Sequence, residues 1–435
     1  MLNNIRKRKK RPGEYPVIKG LVALAFFGIC NAFGFEFPKA KPEDMGMSSD
    51  RLERVSAKIQ EYIDQDLTPG VETIIVRNGH IVYHKVQGNK RAENSTPLIK
   101  NDIFRIASMT KPITSIALMA LWEEGKFQLN DPITKFLPEF ETVMVSTVGD
   151  ASGNTGELVP PNRMITVRDI LTHTAGFANS YRGNTKAYRE AMGPDRAVDN
   201  KELISRLSKI PLNYQPGTQW QYSIATDVVG HLVEVISGKN LDQFLKERLF
   251  EPLSMPDTHF YLTKEKADRL TSQYSPSEKN QKIELRDPGS EDSRWISGPK
   301  TLFRGAGGLV STGQDYLRFQ QMMLNGGTLG ATRILSPTTV SLILENHTGD
   351  LPLWLTGPGM GFGLGYGVVV DRGAAATPLS QGAAYWGGAY CTLSWIDPQE
   401  QIVGILLTQV RPYSHLNIRQ DFQALTYQAI TESYR

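Results

Sequence analysis

Apolar positions first follow a helical period, then alternate as in strands, and then crowd into one almost unbroken run. Leu52, Val55, Ile59 and Ile63 recur every three or four residues, the period of one helix face, and Ser48-Ser49-Asp50 supply a cap before them. Val71–Val76 and Ile81–Val86 flank Asn78-Gly79, the dipeptide that favours a two-residue hairpin turn. Residues 113–121 are apolar apart from Thr114 and Ser115, which predicts a helix buried on most sides. Pro112 is tolerated only near a helix start and Gly125 suits its stop, so Ser108 and Lys111 fall in the opening turn.

Downstream the pattern turns helical and loop-rich. Leu171-Thr172-His173-Thr174-Ala175-Gly176 follow a short helix that Thr166 can cap, and Pro216–Ser223 open a helix running through Val228, Leu232, Val235 and Ile236 to Gly238. Residues 272–300 are polar, rich in Pro, Ser and Gly, and without period, and predict a long surface excursion. Gly305–Thr312 precede a helix over Tyr316–Leu324. Gly359, Gly361, Gly363, Gly365 and Gly367 fall at every second position, which predicts one strand with a bare face that a helix or a ligand approaches closely. Cys391–Ile396 and Ile402–Leu407 predict a strand pair around Asp397-Pro398, and residues 415–434 a closing helix. This order implies an α/β (α+β) architecture. An antiparallel sheet flanked by helices is built from both chain ends, about 45–107 and 355–435, with a mostly helical lobe, about 108–354, inserted between them.

Charge changes the picture at the N-terminus only. The 435-residue chain carries a formal +3, but Arg6–Arg11 and Lys19, less Glu14, put +6 in the first 32 residues and leave the remainder at −3. The bulk of the chain therefore has no basic field for nucleic acid. The basic cluster precedes the uncharged run Gly20–Ile29 and the small-residue region Cys30-Asn31-Ala32, the layout of a secretory signal peptide over residues 1–32. The run is short for a spanning helix, although an uncleaved anchor extending to Phe35 is the alternative and would be the sole membrane contact. Export to a bacterial periplasm or to the medium is expected. Cleavage would leave Cys391 as the one cysteine, with no internal disulfide.

The chemistry starts from Ser108 and Lys111. Three positions apart, they share a helix face, and unpaired amides of a helix start lie beside any oxyanion formed there. A lysine against a buried apolar helix is expected to have a lowered pKa, as a proton acceptor requires. A capping serine followed by a surface lysine gives the same tetrapeptide, and S-x-x-K is common by chance. Competing chemistries lack their signatures. There is no G-x-S-x-G elbow, no H-E-x-x-H, no Walker loop and no G-x-G-x-x-G, and neither a metal nor a cofactor is expected.

Ser108-Met109-Thr110-Lys111, Tyr222-Ser223-Ile224 and Trp386-Gly387-Gly388 stand in the order and rough spacing of three motifs, S-x-x-K, Y-x-N and K-T-G. Over residues 45–430 the chain resembles the serine β-lactamase and penicillin-binding-protein superfamily, in its class C-like branch with esterase relatives. The stretches Leu171–Gly176, Pro216-Gly217-Thr218, Gly307-Gly308-Leu309 and Trp395–Pro398 are similar to that branch as well. The resemblance implies a β-lactamase/DD-peptidase-like fold over 33–430. It implies Ser108 as nucleophile, Lys111 and Tyr222 as proton relay, and the backbone N–H groups of Ser108 and Ala389 as oxyanion hole. By this resemblance Trp386, Gly387, Gly388 and Ile224 border the substrate. Two departures matter. Trp386 replaces the Lys or His that opens the third motif, and Ile224 replaces the amide side chain of the second, so a cation and an amide contact for a β-lactam or peptide are both missing. The expected activity is cleavage of small acyl esters through an acyl-serine. A weak β-lactamase or D-amino-acid peptidase is the enzymatic alternative, and a non-catalytic penicillin-recognising or sensor domain the alternative of another class.

Overall fold

The computed structural model describes residues 35–147, 156–177, 185–192 and 197–434; the expected leader lies outside them. The predicted hairpin forms strands β1 (Gly70–Arg77) and β2 (His80–Arg91), joined by Asn78 and Gly79 with φ of 48° and 74°. Both residues of that turn need positive φ, which explains the Asn-Gly pair. Strand β3 (Thr96–Pro97) extends the edge, and the second half of the chain supplies β4 (Met360–Phe362), β5 (Gly367–Val369), β6 (Ala384–Gly387), β7 (Leu393–Asp397) and β8 (Ile402–Leu407). They form one eight-stranded sheet in the order β4-β5-β6-β7-β8-β1-β2-β3, every neighbour antiparallel. The expected sheet from both chain ends is thus present, with β1 and β8 joining its two halves.

Alternation along β1 divides the apolar residues between two cores. Val71 and Ile75 face helices α1 (Ser49–Asp64) and, from the chain end, one over Ile418–Tyr427, together with Leu52, Val55, Ile59 and Phe422. Ser48 caps α1 by accepting from the Arg51 N–H. Ile74 and Val76 face the larger core, which holds α2 (Thr110–Glu123), α3 (Val167–Thr172), α4 (Ala225–Ser237) and α5 (Gly313–Leu324). The chain-end helix is α6 (Ile418–Tyr427), shorter than the expected 415–434. All residues from Thr110 to Leu121 are buried, as the apolar run predicts, and Pro112 sits in the first turn of α2.

Two expectations fail. The alternating glycines do not make one strand. Gly363 to Tyr366 turn the chain between β4 and β5, with Gly365 at φ 101°. The close approach is real. A Cβ on Gly365 would lie 2.5 Å from Ser115 Oγ of α2, and one on Gly363 would lie 2.3 Å from Ile343 O. The 272–300 excursion contains a hairpin, Gln273–Pro276 with Ile283–Asp287, and a helical turn, Arg294–Ser297. Trp295 and Ile296 bury against Ile103, Leu262 and Leu270, so the polar segment is anchored by two apolar side chains. Among the described residues no helix is long and apolar enough to cross a membrane, and no acidic, His or Cys group is arranged to hold a metal.

Candidate active site

Ser108 stands in a 3-10 turn, Ala107–Met109, that leads directly into α2. Ala107 has φ 44°, a left-handed conformation that costs a non-glycine residue free energy and turns the serine out of the strand–helix junction. Lys111, buried with 4% exposed, reaches back one turn so that its Nζ lies 3.3 Å from Ser108 Oγ and 2.6 Å from the Ala306 carbonyl oxygen. Tyr222 arrives just ahead of α4, and its hydroxyl lies 2.7 Å from Ser108 Oγ. The Lys111 ammonium also stands 4.6 Å over the Tyr222 ring centre. The three side chains named from two separated motifs therefore meet at one oxygen.

Burial pushes the Tyr222 phenol up to about 12; contacts with Ser108 and the Trp386 indole pull it down and Asp227 adds to the rise. At neutral pH Tyr222 is consequently protonated and donates to Ser108 Oγ.

The carbonyl that receives Lys111 is itself held in place. Asp227, in the first turn of α4, accepts from the Ala306 N–H at 3.0 Å and from Arg304 Nε at 3.3 Å, and it also pairs with Arg304 Nη2. Thr114 Oγ1 of α2 donates to Gly305 O at 2.9 Å. His173, with φ 60° at the end of α3, lies behind Tyr222 with ring centres 5.1 Å apart, and its Nδ1 accepts from the Ser223 N–H at 3.3 Å. Burial first, and the Lys111 charge second, hold its pKa well below the usual imidazole range. It is a neutral spacer at physiological pH.

The third motif closes the opposite side. Trp386 is buried at the end of β6, 5.4 Å from the Tyr222 ring and edge-on to Phe362 at 5.2 Å. With Trp220 and Leu353 these rings form an apolar cluster, and Trp354, partly exposed, lies 6.2 Å from Trp220. Gly388 allows β6 to approach the serine turn, and Gly387 leaves room for Arg419, whose Nη1 would lie 2.9 Å from a Cβ there. A Cβ on Gly388 would lie 2.3 Å from the Ile106 carbonyl oxygen. Among the described residues neither the Ser108 N–H nor the Ala389 N–H donates to a protein acceptor. Ile224 is different. Its side chain is buried in the larger core with Val228 and Val229.

The sequence reading missed Asp227, Arg304 and Ala306, and gave no role to His173, although His173 and the Gly307-Gly308-Leu309 stretch beside Ala306 lie in segments it had singled out. Such a site supplies a hydroxyl nucleophile, an amine beside it, a phenol poised on the same oxygen and unpaired amides nearby, which is the equipment of acyl transfer. Residues 55–428 match the Beta-lactamase family. An uncharacterized protein of Mycobacterium tuberculosis is 33% identical over 381 residues, covering 83% of this chain and 90% of that protein. Esterase EstB of Burkholderia gladioli is 28% identical over 375 residues, covering 81% and 90%. Among solved structures, EstCE1, described as a hydrolase with promiscuous acyltransferase activity, superposes with a TM-score of 0.72 at 26% identity, over 87% of this chain and 99% of that one. With its fold and motifs in agreement, the chain belongs to the beta-lactamase family and is a serine hydrolase.

Proposed function

We propose that this hydrolase cleaves small, uncharged acyl esters through an acyl-Ser108 intermediate. The observation that carries the reading is the Ser108 oxygen held between Tyr222 at 2.7 Å and Lys111 at 3.3 Å, with the uncharged Trp386 indole 5.4 Å from the Tyr222 ring. Tyr222 and the resting Lys111 ammonium both donate to Ser108 Oγ; once Lys111 has released a proton to solvent, its amine takes the serine's own proton as the oxygen attacks the ester carbonyl carbon. The carbonyl π-bond opens, and the resulting oxyanion is stabilised by the N–H groups of Ser108 and Ala389. The ester C–O bond then breaks, and the Lys111–Tyr222 relay returns the proton to the departing alkoxide. Water repeats the sequence on the acyl-serine and releases the acid. Trp386, Phe362 and Trp220 favour an apolar acyl or alcohol group and give no charge to a carboxylate. The relationship to EstB, an esterase, agrees with ester cleavage.

Ser108→Ala is expected to abolish p-nitrophenyl ester turnover and fluorophosphonate labelling while the circular dichroism spectrum stays unchanged. Undiminished turnover in the folded variant would put the nucleophile elsewhere, and faster turnover of a cephalosporin than of every ester tested would replace the esterase reading with a β-lactamase one. The same proposal includes export, with a mature N-terminus near Phe33. N-terminal sequencing of protein recovered outside the cytoplasm checks it, and full-length protein in the soluble cytoplasmic fraction would refute it.

A further inference from the structure

We infer that Arg419, from the closing helix α6, is a positioning residue that aims and polarises the Ala389 N–H of the oxyanion hole; this rests on the acyl-transfer reading above. Residues 388–392 link β6 to β7 in a tight turn, closed by Gly388 N–H to Thr392 O at 2.8 Å and Cys391 N–H to Gly388 O at 3.1 Å. The Arg419 Nη2 donates to two carbonyls of this turn, Gly388 O and, at 2.7 Å, Thr392 O. Its Nη1 donates to Tyr413 OH at 2.5 Å, and the guanidinium plane lies 4.1 Å over the Tyr413 ring. The cation is therefore held by Tyr413 on one side and by the turn on the other.

The carbonyl it grips belongs to the same peptide group as the Ala389 N–H. In a trans peptide the C=O and N–H vectors point in opposite directions, so a donor holding Gly388 O on one side turns the Ala389 N–H to the other. That other side is the serine turn, where Gly388 packs on Ile106 O and β6 meets the Ala107–Met109 turn. A charged donor on the carbonyl oxygen also draws electron density from the amide and makes its N–H a stronger donor. The Ala389 N–H has no protein acceptor to spend this on among the described residues. Orientation and polarity both favour a developing oxyanion.

The test compares parent, Arg419→Met and Arg419→Lys for ester kcat and KM, thermal midpoint, fluorophosphonate labelling, and affinity for an arylboronic acid that forms a tetrahedral adduct on serine. Loss of one aligned oxyanion donor costs about a hundred- to a thousandfold, so misalignment in Arg419→Met is expected to lower kcat and kcat/KM together by roughly ten- to a hundredfold. Boronate affinity should fall in parallel, Arg419→Lys should lie between, and added methylguanidinium should restore part of the activity of Arg419→Met. Lowered thermal midpoints with unchanged kcat/KM and boronate affinity would reduce Arg419 to a helix anchor and overturn the inference. If Arg419→Met does not fold, Tyr413→Phe, which frees one end of the guanidinium, must still weaken boronate binding, and an unchanged affinity there overturns it as well. A parent protein that is not labelled would instead remove the nucleophile assignment, and this inference with it.

Discussion

Asp227→Asn keeps the size of the side chain and removes its charge from beside the Ala306 N–H. The Asp227 side chain is 1% exposed, whereas that of Arg304 is 33% exposed. Removing one member of a fully buried ion pair costs about 3–5 kcal/mol, but water can reach Arg304 and an asparagine oxygen can still accept the Ala306 N–H, so the cost here is about 2 kcal/mol. A lowering of the thermal midpoint by a few degrees follows. The catalytic effect is larger in proportion. A misplacement of about 1 Å costs on the order of a hundredfold, and a partly retained Ala306 contact puts the expected loss of kcat at roughly ten- to thirtyfold. The sign of the pH effect is fixed by charge. Asp227 raises the Tyr222 pKa, so its neutralisation eases loss of the phenolic proton and moves the alkaline limb of the kcat profile to lower pH. The assay is kcat against pH for parent and variant on one ester, with the thermal midpoint measured alongside. A kcat within twofold of the parent and an unmoved alkaline limb, despite a lowered midpoint, would refute the idea that Asp227 acts on the relay through Ala306.

Three other substitutions probe different parts of the molecule. Trp386→His should lower kcat/KM for neutral esters and raise it for carboxylate-bearing β-lactams, shifting their ratio about tenfold; an unchanged ratio means that the indole does not set substrate class. Gly388→Ala forces a Cβ to within 2.3 Å of Ile106 O, and should cost about 1–3 kcal/mol of stability but about a hundredfold in kcat, measured by denaturation and by steady-state turnover. Glu72, fully buried on β1 with Oε1 2.8 Å from His84 Nε2, has its pKa raised by burial. For a carboxyl with a raised folded pKa, stability is present when it is protonated and is lost as pH rises through that folded value, so Glu72→Gln should gain stability relative to the parent as pH rises above the ordinary carboxylate range. A stability difference independent of pH would show that the carboxyl is held by something other than burial.

Local periodicity made much of the scaffold legible. The one-face repeat of α1, the Asn78-Gly79 turn and the apolar run of α2 each depend on neighbours in sequence, and all three formed as expected. Ser108 and Lys111 were visible for the same reason, since one helical turn brings them together. Tyr222 was reached only through the resemblance of its motif. The supports of the site left no comparable mark, because several of them act on backbone. Lys111 is received by a carbonyl 195 residues away and Arg419 grips the carbonyls of Gly388 and Thr392, and every residue type offers a carbonyl. The glycine repeat misled because the same residue serves both a bare strand face and a left-handed turn. Residues 272–300 were read as excursion because Trp295 and Ile296 are too few to establish a period.

The pairing of β1 with β8 has a consequence for how the chain comes to be folded. Glu72 to Arg77 have their partners at Ile402 to Leu407, more than three hundred residues later. During synthesis from the N-terminus, β1 is therefore an unpaired edge rich in β-branched residues for most of the time the chain is being made, a template for wrong pairing. The serine, lysine and tyrosine are all made before residue 223, yet the Gly388–Ala389 peptide opposite them and the strand that seals the sheet arrive only with the last fifth of the chain. On the acyl-transfer proposal, a nascent or truncated protein carries Ser108 without the Ala389 N–H that completes the oxyanion hole, and full reactivity waits until the sheet closes. Such long-range closure makes folding slow compared with a helical bundle of similar size.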